Sequence, residues 1–119
     1  MAMQIIYGKM KGQEIVFPES CRKVNVTEAL EPICDEFFKK ETFIEDEEEI
    51  YYKIATKDQV RAIVTQADKE IEELLAKLKK TRGTEAREEL LSNLYDFSLL
   101  KTTIIEMLLT DDVNVLAMI

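Results

Sequence analysis

Five consecutive carboxylates at residues 45–49, Glu45-Asp46-Glu47-Glu48-Glu49, are the densest group of ionisable side chains in the sequence. A calcium loop of the EF-hand type needs acids at alternating positions and a central glycine, and this run has neither. Consecutive side chains on an extended segment point to opposite sides, so they converge on one ion only where the chain bends. A solvated turn is the favoured interpretation. A partner-binding or mimic surface and a weak cation site are the alternatives.

Other groups that could do chemistry are few. The chain has no histidine, which removes Ser–His and Cys–His nucleophile activation and the usual zinc and iron ligand sets. Cys21 and Cys34 cannot complete a tetrahedral metal site by themselves, and free cysteine is among the most buried residue types. The three glycines form no phosphate-binding motif. We therefore predict no catalytic residues, no cofactor and no metal.

The charge of the chain argues against several kinds of partner. A net charge of −8 repels phosphate backbones, so we predict that the protein does not bind nucleic acid. The only basic cluster, Lys77, Lys79, Lys80 and Arg82, is predicted to lie at the negative end of a helix rather than in a phosphate site.

The distribution of apolar residues predicts a cytoplasmic protein. No apolar run approaches the roughly 18 residues that span a bilayer, and the N-terminus has no secretory signal, so we expect no membrane association. Two cysteines do not form the disulfide framework of a small secreted protein. We expect two free thiols, with a single Cys21–Cys34 bridge as the alternative. The 119 residues are read as a single α+β domain, residues 1–119.

The elements that hold these residues begin with two β-branched runs, Met3–Tyr7 and Gln13–Phe17. The segment Gly-Lys-Met-Lys-Gly between them predicts a β-hairpin. The alternating segment Arg22–Val26 fits either a short third strand or an extended lead into a helix. Helical spacing follows over Thr27–Lys40, and Pro32 places the start of that helix near Glu31.

The acidic run lies between two apolar segments, Thr42–Ile44 and Ile50–Ala55. Their composition favours two strands, which would place all five acids in a hairpin loop. A helix is the competing interpretation of residues 45–55.

A long helical hairpin is the strongest prediction. Thr56 and Gln59 have the spacing of a capping box. The apolar residues that follow are spaced by 4, 3, 4, 3 and 4, which predicts a helix with one apolar seam that runs to about Lys80. The seam residues are Val60, Val64, Ala67, Ile71, Leu74 and Leu78. Gly83 suits the left-handed position that follows this helix, and Thr84 suits the N-cap position of a second helix. That second long helix is predicted to run from about Glu85 to Leu109.

The second long helix is apolar on more sides than one partner helix can cover. Val113–Ile119, the last seven residues, fits a final strand or a tail docked on that helix. We predict a small antiparallel sheet, with a hairpin and one or more short strands, packed on a long antiparallel helical hairpin and one shorter helix.

The predicted function is that of a small acidic protein-interaction module without catalytic activity, which binds itself as a homodimer and can bind one other protein. The alternative is an acidic inhibitor or nucleic-acid-mimic protein, of the kind that phages and mobile elements encode, that blocks a basic site on a host enzyme. The candidate contact residues are apolar ones of the second long helix and the acidic run: Leu91, Leu99, Leu100, Ile105, Leu109, Glu45, Asp46, Glu47, Glu48 and Glu49.

Overall fold

The fold is an antiparallel β-sheet packed on three helices, as the α+β prediction requires. A computed structural model describes residues 3–19, 22–45 and 48–118, and within 39–51 it describes the backbone. The elements in chain order are β1 (Gln4–Lys11), β2 (Glu14–Val16), β3 (Val24–Asn25), α1 (Glu31–Phe37), β4 (Lys39–Glu45), β5 (Glu48–Thr56), α2 (Lys57–Lys80), α3 (Thr84–Leu109) and β6 (Val115–Met118).

The predicted N-terminal hairpin forms, but its loop is shorter than the sequence indicated. β1 continues through Gly8 to Lys11, and Lys11 pairs directly with Glu14 of β2. The turn therefore consists of Gly12 and Gln13, with Gly12 at a φ of 62° that favours glycine. β1 pairs with β6 over Ile5–Gly8 and with β2 over its last three residues, so it continues as one strand to Lys11.

Gly8 allows β2 to lie close to β1. A β-carbon at this position would lie 2.8 Å from Ile15 Cγ2 and 2.9 Å from the carbonyl oxygen of Val16. A larger residue would push β2 away, so the glycine is needed for its size rather than for its backbone angle.

The segment that leads into α1 is a short strand, one of the two predicted alternatives. Val24 is buried and pairs with Ile5 of β1. α1 begins at Glu31 with Pro32 in its first turn, as predicted, but it ends at Phe37. Lys39 and Lys40, which the sequence placed in the helical segment, instead begin β4 and pair with β5.

The segments on either side of the acidic run are both strands, and the helical alternative for residues 45–55 is wrong. β4 and β5 pair antiparallel from Lys39 opposite Ile54 to Glu45 opposite Glu48. The strands therefore extend into the acidic run, which is not confined to a loop as predicted.

α2 begins at the predicted capping box, where the Thr56 backbone N–H donates a hydrogen bond to Gln59 Oε1 at 2.9 Å. All six predicted seam residues are buried or partly buried. Ile63, which the seam did not include, is also completely buried, so the apolar face of α2 is wider than a coiled-coil seam.

The connection between the long helices differs in detail from the prediction. Gly83 has a φ of −71° and is the N-cap of α3, so it is not the left-handed residue after α2. Arg87 of α3 donates hydrogen bonds through Nη1 to the carbonyl oxygens of Leu78 at 2.7 Å and Thr81 at 2.9 Å. These bonds satisfy carbonyls at the end of α2 that have no partner within the helix.

The C-terminal segment is a central strand of the sheet. The strand order is β2-β1-β6-β5-β4, with β3 also on β1, and all pairs are antiparallel. β6 is buried on both faces. Leu116 and Met118 contact the main core beneath the helices, while Val115 and Ala117 join a smaller apolar cluster on the opposite face.

Candidate functional site

The outward face of α3 carries a continuous row of uncharged side chains. We define the α3 stripe by its residues, which are spaced by 4, 3, 4, 3 and 4: Leu91, Tyr95, Ser98, Thr102, Ile105 and Leu109. This spacing keeps them within a sector of about 80° on a helix of 3.6 residues per turn. The stripe extends about 27 Å at a rise of 1.5 Å per residue.

The stripe lies opposite the face by which α3 enters the core. The residues buried on the core side are Phe97, Leu100, Thr103, Ile104 and Met107. The large stripe residues remain accessible: Leu91 is 48% exposed, Tyr95 66%, Ile105 42% and Leu109 81%. A helix with apolar residues on two opposite faces has one face that the chain itself does not cover.

The two small residues in the middle of the stripe have no free hydroxyl donor. Ser98 Oγ donates to the Leu94 carbonyl oxygen at 2.7 Å, and Thr102 Oγ1 donates to the Ser98 carbonyl oxygen at 2.8 Å. Because both protons are used within the helix, these side chains can lie beside apolar groups with little desolvation cost for the donor.

Neighbouring elements contact α3 on its flanks. Lys101 forms an ion pair with Asp68 of α2. Thr27, in the loop before α1, donates a hydrogen bond from Oγ1 to Asp96 Oδ2 at 2.8 Å. The C-terminal segment, which could have covered the stripe, is β6 in the middle of the sheet. The docked-tail alternative is therefore wrong.

The predicted contact residues of α3 separate into three groups. Leu91, Ile105 and Leu109 lie on the stripe, and Leu99 is partly buried against the core. Leu100, also predicted as a contact residue, is completely buried in that core and is not accessible to a partner in this structure. A leucine-rich segment does not show which leucines face inward until the neighbours of the helix are known.

Tyr95 was missed, although it lies four residues after Leu91 and is 66% exposed. The signal was present in the sequence as the second 4-3-4-3-4 pattern of the protein. Leu108, 37% exposed, flanks the same surface.

The acidic run occupies the end of the β4–β5 hairpin. Glu45 pairs with Glu48, and Ile44 pairs with Glu49, so three of the acids belong to strands. Asp46 and Glu47 lie outside the described residues. The backbone register thus places the acidic residue Glu45 opposite the acidic residue Glu48 at the end of the two strands.

Cys34 is the one cysteine for which the structure gives a position, because Cys21 lies outside the described residues. The Cys34 thiol is free and buried. Burial raises its pKa to about 12, and Asp35 and Glu31 act in the same direction while Lys53 opposes them. A thiol with so high a pKa is a poor nucleophile at neutral pH.

The cavities provide little for a catalytic site. A cavity of about 290 Å³ between the β1–β2 hairpin and the turn after α3 contains Lys9 and Asp112, whose Nζ and Oδ1 atoms lie 3.4 Å apart. A cavity of about 110 Å³ beside α1 contains Gln66, which donates to Glu70 at 3.1 Å. In the part of the chain that the structure describes, no three acidic or cysteine side chains are placed to hold a metal ion.

Glu106 contributes an unusual atom near the end of α3. Its Oε2 is buried and has no hydrogen-bond partner among the described residues. Glu106 lines neither of the two cavities just described, and it does not line a third cavity that lies between the two long helices. We assign no site to this oxygen.

Comparisons with known proteins do not identify a family. No family model matches the chain, and searches of curated proteins and of solved structures found no significant match. None of the described helices is long and apolar enough to cross a membrane.

Proposed function

We propose that the protein is an interaction module that associates with a second copy of itself through the α3 stripe. The observation that carries the proposal is the accessible apolar face of α3, opposite a core that is complete without it. Exposed apolar surface gathered on one face of a monomer is typical of an interface.

The size of the stripe indicates weak association. A surface about 27 Å long on a helix about 10 Å wide is smaller than the roughly 800 Å² per partner of a standard interface. Burial of its four large side chains must also offset at least about 4 kcal/mol of lost translational and rotational freedom. We expect a homodimer that dissociates in the micromolar range.

Sedimentation equilibrium from about 1 to 500 μM protein tests this proposal, because that range brackets micromolar dissociation. We expect the mass to rise towards that of two chains of 13.8 kDa. Leu109→Glu should give a folded monomer, since Leu109 is 81% exposed and contributes little to the core. A wild-type protein that stays monomeric throughout the range contradicts the proposal.

Leu75→Glu is the matched control for a change of charge on an exposed leucine. Leu75 is 45% exposed, but it lies on α2. We expect this variant to associate like the wild type. Loss of association in both variants would show that added charge, rather than damage to the stripe, separates the copies.

The absence of catalysis, a cytoplasmic location and the absence of nucleic-acid and membrane partners belong to the same proposal. A chain with no histidine and a net charge of −8 supports it. Within the described residues, Lys9 is paired with Asp112 in the cavity of about 290 Å³, and Glu70 accepts a hydrogen bond from Gln66 in the cavity of about 110 Å³.

An acidic inhibitor that blocks a basic site on another protein is the second candidate. The pairing of Glu45 with Glu48 favours it, because the backbone register brings acidic residues of both strands to the same end of the β4–β5 pair. A pull-down from a lysate followed by mass spectrometry would identify such a partner. Its binding should weaken steeply with added salt, whereas apolar self-association should tolerate salt.

A further inference from the structure

We propose that the end of the N-terminal hairpin is a cover that opens as a unit over the smaller apolar cluster of the sheet. We define the hairpin arm as residues 9–18, from the last part of β1 through β2 to Pro18. Opening releases the arm, while β1 up to Gly8, the other strands and the helices keep their structure. This conformational change is independent of the proposed self-association through α3.

The arm leaves the backbone ladder of the sheet at Gly8. β1 pairs with β6 up to Gly8 opposite Val115, and its last three residues pair with β2. β2 pairs with β1 and with no other described strand. Because a two-stranded hairpin is at best marginally stable by itself, the arm depends on its contacts with the rest of the domain.

Polar contacts join the arm to the segment that precedes β6. The Met10 backbone N–H donates a hydrogen bond to Asn114 Oδ1 at 2.9 Å, so a side chain rather than a strand satisfies this amide. Lys9 Nζ lies 3.4 Å from Asp112 Oδ1, but both side chains are accessible to water, and such a pair adds little. The cavity of about 290 Å³ lies between the arm and the same segment. The Asn114 side chain is therefore the main polar attachment of the arm on this side.

The apolar contacts of the arm lie outside the main core. Of the described residues buried in that core, none belongs to the arm, and Ile15 is the one arm residue buried in the smaller cluster. Met10 and Phe17 are partly buried against this cluster, and the centroids of the Phe17 and Tyr52 rings lie 6.0 Å apart. Opening thus leaves the main core intact. It uncovers apolar side chains of β5 and β6, a kind of surface that is typical of protein-binding sites.

Hydrogen–deuterium exchange of the full chain, measured by mass spectrometry, tests this proposal. Amides of residues 9–11 and 14–16 should exchange faster than those of α2 and β6, and low urea concentrations should change their exchange little, because local opening exposes a small surface. Asn114→Ala removes one hydrogen bond, so exchange in the arm should increase about two- to tenfold while α2 and β6 are unchanged. Asn114→Asp keeps an acceptor for the Met10 amide and should restore exchange close to that of the wild type.

Asn25→Ala is the matched control. Asn25 is exposed, and its Oδ1 accepts a hydrogen bond from Gln4 Nε2 at 3.0 Å near the other end of β1. We expect exchange in the arm of this variant to equal that of the wild type. Arm amides that exchange only with the rate and urea dependence of global unfolding would overturn the proposal. An effect of Asn114→Ala that is spread equally over α2 and β6 would also overturn it.

Thiol labelling provides a second measurement, which reports on the surface beneath the arm. In a Cys21→Ser background, Ala117→Cys places a thiol in the smaller cluster, where Ala117 is completely buried. Adding Asn114→Ala should increase the alkylation rate of this thiol by the same factor as exchange in the arm. The rate for Cys34, which lies in the main core, should not change. Equal changes at the two thiols would show that the cluster stays covered until the whole domain unfolds.

Discussion

Truncation of two buried leucines, Leu100→Ala and Leu74→Ala, should cost different amounts of stability. Leu100 is completely buried where α3 meets α2 and the sheet. Leu74 is 7% exposed and lines a cavity of about 380 Å³ between the long helices. The same three carbon atoms are thus removed from a closed site and from a site beside open space.

The transfer contribution is common to both substitutions. Three buried carbon groups at about 0.8 kcal/mol each give about 2.4 kcal/mol of lost unfolding free energy. Leu100→Ala also leaves a cavity that its neighbours cannot fill, which adds about 2 kcal/mol. At Leu74 the new space joins an existing cavity open to water, so the cavity contribution is small. We expect about 4–5 kcal/mol for Leu100→Ala and about 2–3 kcal/mol for Leu74→Ala.

Urea unfolding followed by far-ultraviolet circular dichroism measures both values. Each curve is recorded at two protein concentrations, because a dimer is stabilised by mass action. The slope of the unfolding free energy against urea concentration should be the same in both variants as in the wild type, because the same surface is exposed on unfolding. Equal losses for the two variants, or a loss below about 2 kcal/mol for Leu100→Ala, would refute the assignment of Leu100 to a closed core.

Three further outcomes are expected. Replacing Glu47, Glu48 and Glu49 by Gln should leave the circular dichroism spectrum intact and change the free energy of self-association by less than about 1 kcal/mol. A tenfold loss of affinity for another protein at moderate salt would instead favour the hypothesis that the protein is an acidic inhibitor. Burial raises the pKa of the Cys34 thiol from 9.0 to about 12, so the thiol should be alkylated at pH 8 only after the protein unfolds. Its contribution to the unfolding free energy should be complete below about pH 9 and lost as the pH rises towards 12. Rapid labelling of Cys34 in the native protein, mapped by mass spectrometry, would contradict this. Gly8→Ala should lower the unfolding free energy by about 1–3 kcal/mol, and with it the urea midpoint, since the added methyl group meets β2; an unchanged midpoint would show that β2 moves freely.

Local patterns were sufficient for the long helices. The capping box at Thr56 and the 4-3-4-3-4 seam of α2 are formed by residues close in sequence, so the start of this helix and most of its buried face were predicted correctly. The proline in the first turn of α1 likewise marked its start.

Predictions that depended on the pairing of strands were less accurate. β1 extends to Lys11 because its last three residues pair with β2, and the segment from Lys39 becomes β4 because it pairs with β5. The strand interpretation of the segment after the acids was correct, but the hairpin register that pairs Glu45 with Glu48 could not be read from composition.

The sequence by itself determined that this chain has a long helical hairpin, an acidic surface and too few reactive side chains for a recognised catalytic motif. Tertiary structure decided which apolar residues remain exposed. Leu100 and Leu109 look alike in the sequence, yet Leu100 is completely buried and Leu109 is 81% exposed. The physical reason is that α2 and the sheet cover one side of α3 and β6 enters the sheet, which leaves the opposite side open.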